Sequence, residues 1–74
     1  MDKELFFKVS FVVVGSKHPG AIFTLERRPE VGEEICFNGA VYVITEVMEL
    51  MPPADNFGFL HATCEFVRPL ERPV

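Results

Sequence analysis

Asn38-Gly39, set between Ile35-Cys36-Phe37 and Ala40-Val41-Tyr42-Val43-Ile44, is the feature that most narrows the fold of this chain. A two-residue type I′ turn needs φ > 0 at both central positions, and Asn followed by Gly tolerates that best. The flanks are β-branched and aromatic, the types that suit a pleated, half-buried surface. The segment therefore predicts a hairpin, with one strand from Glu33 to Phe37 and a longer one from Ala40 to Leu50.

Three further strands follow from the two-residue period. From Leu5 to Val14, Phe7, Val9, Phe11 and Val13 share one face. Phe6, Lys8, Ser10, Val12 and Val14 share the other. From Ala21 to Arg28, Ala21, Phe23 and Leu25 alternate inward. From Phe57 to Val67, Leu60, Ala62, Cys64 and Phe66 form one face, with Phe57, Phe59, His61, Thr63, Glu65 and Val67 on the other. Gly15 to Gly20 breaks the pattern, as do Met51-Pro52-Pro53 and the residues up to Asn56, so both read as loops. Arg68 to Val74, with two prolines, reads as a frayed tail.

The longest strand contains a phase conflict. Tyr42 and Ile44 are two apart, but Val47 lies three beyond Ile44. All three point inward only if a β-bulge sits near Thr45-Glu46. A bend there curls a small sheet. No segment has a helical period. The reading is all-β: a single domain over 1–74, a small five-stranded antiparallel meander curled into an SH3-like barrel. Its expected core is Phe11, Phe23, Leu25, Ile35, Tyr42, Ile44, Val47 and Leu60.

The hairpin region also follows a recognisable pattern: Pro29, Val31, Gly32, Glu33, Ile35, Gly39, Tyr42, Ile44 and Val47. It resembles the hairpin of small SH3-like β-barrel domains, including phage head–tail joining proteins. The resemblance implies an assembly role of phage descent. It transfers no functional residue.

Composition narrows the function classes. At 74 residues and 49% hydrophobic content, with eight Phe and no Trp, the chain carries more apolar surface than one small core easily hides. The net charge of −4 runs against a dedicated nucleic-acid binder, whose affinity comes largely from displacing counterions with basic residues. No apolar run approaches the roughly 20 residues of a membrane span, and no basic-apolar leader pattern opens the sequence. A cytoplasmic protein with reduced thiols is the expectation.

Catalytic and metal chemistry find little support. The order His18, Cys36, His61, Cys64 lacks the paired spacings of zinc sites, and on a strand His61 and Cys64 point to opposite faces. Cys36 and Cys64 also face opposite ways, which disfavours a disulfide. There is no phosphate-binding glycine loop and no nucleophile–base order. The expectation is no enzyme, no cofactor and no metal.

Two surfaces remain. Phe6, Val12, Phe57 and Phe59 lie opposite the inferred core on the first and last strands, which often lie side by side in closed barrels. They form a candidate apolar face for a protein partner or for self-association. The alternative is nucleic-acid binding along a basic strip of Lys17, Arg27 and Arg28.

Overall fold

The computed structural model describes residues 6–15, 19–54 and 57–70, with only the backbone of 52–54. The described residues form five strands: β1 (Phe6–Val13), β2 (Ala21–Leu25), β3 (Glu34–Phe37), β4 (Ala40–Ala54) and β5 (Phe57–Pro69). Asn38 and Gly39 join β3 to β4 with φ of 52° and 75°, the left-handed pair that a type I′ turn requires.

The strands lie in one sheet in the order β2-β1-β5-β4-β3, curled into a half-barrel. The all-β class agrees with the expectation, but the sheet is mixed and not wholly antiparallel. β1 and β5 are parallel, from Phe6 opposite Phe57 to Val13 opposite Cys64. The reason is parity. In a meander of five strands the first and last run the same way, so their contact must be parallel. The barrel is also incomplete: β2 and β3 follow one another in sequence but share no ladder.

The core lines the concave face. Phe7, Val9, Phe11 and Val13 of β1 meet Leu60, Ala62 and Cys64 of β5, with Tyr42 and Ile44 of β4 and Phe37 of β3. Leu25, Ile35 and Val47 pack on it half-buried. The ladder shifts between Ile44–Cys64 and Glu46–Thr63, leaving Thr45 as the extra residue. The phase conflict is thus resolved where the sequence placed it. Ile44 and Val47 both face inward, opposite Cys64 and Ala62.

Phe23 departs from the expected core. It shares the face of Val9 and touches the rings of Phe11 and Phe37, each 5.9 Å away by centroid, yet it stays 41% exposed. The open seam between β2 and β3 leaves its outer side uncovered. That seam is a groove of about 400 Å³, lined by Phe11, Phe23, Leu25, Ile35 and Phe37 among others.

Strand ends differ from expectation as well. β2 stops at Leu25 instead of Arg28, because the chain bends at Glu26 and Arg27. β4 continues through Pro52-Pro53 to Ala54, where a loop was expected. Its ladder passes from Met51–Phe59 directly to Ala54–Phe57, so no bond is required of either proline. Residues 68–70 are not frayed. Pro69 lies opposite Ala40, where β5 has outrun β1 and no donor is needed on that side, and Leu70 N–H donates to the Gly39 carbonyl at 2.9 Å. Residues 71–74 lie outside the described part.

Candidate functional site

The parallel register assembles the outer surface of the sheet. Side chains alternate strictly from Phe57 to Cys64 of β5: Gly58, Leu60, Ala62 and Cys64 are buried, while Phe57, Phe59, His61 and Thr63 are half-exposed on the convex side. β1 does the same, with Phe6, Lys8, Ser10 and Val12 outward. Residues opposite one another share a face. Phe6 therefore lies beside Phe57, Lys8 beside Phe59, Ser10 beside His61 and Val12 beside Thr63.

The flanking strands extend this surface. On β4, Met51 is opposite Phe59, Met48 opposite His61 and Glu46 opposite Thr63. On β2, Thr24 is opposite Lys8 and Ile22 opposite Ser10. Phe57 and Phe59 meet edge to face, with centroids 5.1 Å apart. Met48 and Met51 are 50% and 55% exposed, Val12 43%. Phe6, Phe57, Phe59 and Val12 thus lie on one convex face. Phe6, Phe57 and Phe59 gather at one end of it, and Val12 lies further along β1. The two methionines and Ile22 were not singled out in the sequence. Their membership depends on the bulge at Thr45 and on which strand lies beside which.

Lys8 is, among the described residues, the one lysine or arginine within this apolar surface. Among the described residues every arginine stands opposite a carboxylate: Arg27 with Glu33, Arg28 with Glu49 at 3.5 Å and Arg68 with Glu34 at 3.8 Å. Lys8 has no such partner among them.

The basic strip is arranged differently. Lys17 lies outside the described residues. Arg27 makes a two-pronged contact, Nη1 donating to Glu33 Oε1 at 3.0 Å and Nη2 to Oε2. Glu33 Oε1 also accepts the Glu30 N–H at 3.1 Å. The Arg27 hydrogen bond holds the Glu33 carboxyl below its ordinary range, with the Glu30 N–H adding to it. Arg28 Nη1 reaches Glu49. Both arginines are thus engaged in pairs that brace the β2–β3 connection and tie it to β4, and a phosphate would have to compete with those carboxylates.

The thiols diverge as their alternation implies. Cys64 is fully buried, and that burial pushes its pKa up to about 11; Cys36 is exposed on β3. His61 is on the convex face, opposite in direction to Cys64. No helix among the described residues is long and apolar enough to cross a membrane. No protein-family model, curated protein or solved structure matches the chain.

Proposed function

We propose that this chain is a non-catalytic binding or assembly module that works through the convex face of its sheet. The half-barrel is compatible with an SH3-like fold. One observation carries the reading. The parallel β1–β5 register places Phe6, Phe57 and Phe59 at one corner of a surface continued by Met51, Met48 and Val12, with Lys8 its single cation among the described residues. Aromatic residues and methionine are enriched at protein interfaces relative to the rest of the surface.

Light scattering over a concentration series, on wild type and Phe59→Ser, tests it, with a melt of each. The expected result is association in the wild type, lost in the variant, with the melt nearly unchanged. Association that ignores the substitution refutes the surface. Collapse of the monomer also refutes it, by showing that Phe59 belongs to the fold.

A further inference from the structure

The convex face carries its own complement. Lys8 and Glu46 lie on it at opposite corners, both exposed and neither in an ion pair among the described residues. Lys8 is level with Phe59, Glu46 is level with Thr63, and β5 runs between them. From the ladder spacings they are separated by about 13 Å along the strands and about 10 Å across them. His61 sits midway.

We propose that this face packs against the same face of a second copy of the chain, about a two-fold axis lying in the sheet plane, with Lys8 of each copy opposite Glu46 of the other. This rests on the reading of the convex face as the binding surface. An in-plane two-fold acts on the face as a reflection across the axis. The line that exchanges Lys8 with Glu46 passes through His61. On the same spacings it brings Phe59 over Met48 of the second copy and Ser10 over Thr63. Each pairing is complementary: sulfur against an aromatic ring, hydroxyl against hydroxyl, and cation against carboxylate.

A second copy is therefore favoured over an unrelated partner, because the same surface carries, in Glu46, a carboxylate that makes no ion pair among the described residues. A direct superposition of Lys8 on Lys8 would bring like charges together in a drying interface, which disfavours other two-fold arrangements centred on β1. The strands of the two copies cross steeply, closer to the orthogonal class of sheet packing than to the aligned one. Phe6 and Phe57 then fall at the rim and Phe59 near the centre, where side chains contribute most to binding. Because each face is convex and the strands cross steeply, contact is confined to β1, β5 and β4, below the size of a standard interface, so the dimer is weak.

A charge exchange tests the pairing. Lys8→Glu and Glu46→Lys are each expected to abolish self-association measured by light scattering at high protein concentration. The double variant, K8E with E46K, is expected to restore it. Glu65→Lys, on the same face beyond Thr63, is the control and should leave association unchanged. Because all these positions are exposed, each variant should melt as the wild type does. A double variant that stays monomeric overturns the proposal, as does rescue of Lys8→Glu by Glu65→Lys. Association that is lost in Phe59→Ser but ignores every charge change overturns the two-fold arrangement and leaves the binding face standing. Association that ignores Phe59→Ser removes both.

Discussion

Thr45, the extra residue of the β4 bulge, donates its hydroxyl to the Thr63 carbonyl at 3.2 Å. The bond is exposed and closes the gap that the bulge opens in the ladder. Its own contribution is modest, about 0.5–1.5 kcal/mol for a typical hydrogen bond. The position matters more than the hydroxyl. Thr45→Val is expected to cost about 1 kcal/mol or less in urea unfolding. Deletion of residue 45 is expected to keep Val47 inward, because Ile44 and Val47 are then two apart, but to destabilise by removing the bend that curls the sheet. A deletion variant with a wild-type melt would show that the curl of the sheet does not depend on the bulge.

Ile44 and Phe23 test what the open seam does to the core. Ile44 is 1% exposed, whereas Phe23 retains an uncovered side. Ile44→Ala is expected to destabilise by about 2–5 kcal/mol, the range for truncating a buried aliphatic side chain. Phe23→Ala should cost less, despite removing more atoms. Urea unfolding of both variants measures this. The reverse order would mean that β2 and β3 close over Phe23 in solution.

Gly39 and Gly20 are needed for different reasons. At Gly39 φ is positive and a Cβ would meet nothing within 4 Å, so Gly39→Ala should cost only the left-handed backbone penalty, about 1–2 kcal/mol. At Gly20 a Cβ would run into the Phe11 carbonyl of β1. Gly20→Ala forces β2 away from β1 and is expected to be the more damaging of the two in the same melts.

Cys64 makes stability depend on alkaline pH. Burial raises its folded pKa from an ordinary 9.0 to about 11. A raised folded pKa means the stability from the neutral thiol is complete below pH 9 and is lost as pH rises through 11. Cys64→Ala should remove that slope across the window while lowering stability at neutral pH through lost packing. In the native protein a thiol reagent should modify Cys36 promptly and Cys64 only on unfolding. Equal reactivity of both would contradict the burial of Cys64.

Much of this architecture is local and was legible in the residues themselves. The Asn38-Gly39 turn, the alternation along β1 and β5, the opposed directions of Cys36 and Cys64, and the bulge between Ile44 and Val47 all depend on neighbours a few positions away. Backbone preference and the two-residue period act over that range. Tertiary structure decided what depends on distant segments: the parallel contact of β1 with β5, the unpaired seam that exposes Phe23, and the ordering of 68–70 beside β4. The same holds for the convex surface. Phe6, Lys8, Val12, Phe57 and Phe59 show in the pattern as outward-facing, but Met48, Met51 and Ile22 join them only through strand order and register. Those follow from parity and from burial of a shared core, which no short stretch of sequence encodes.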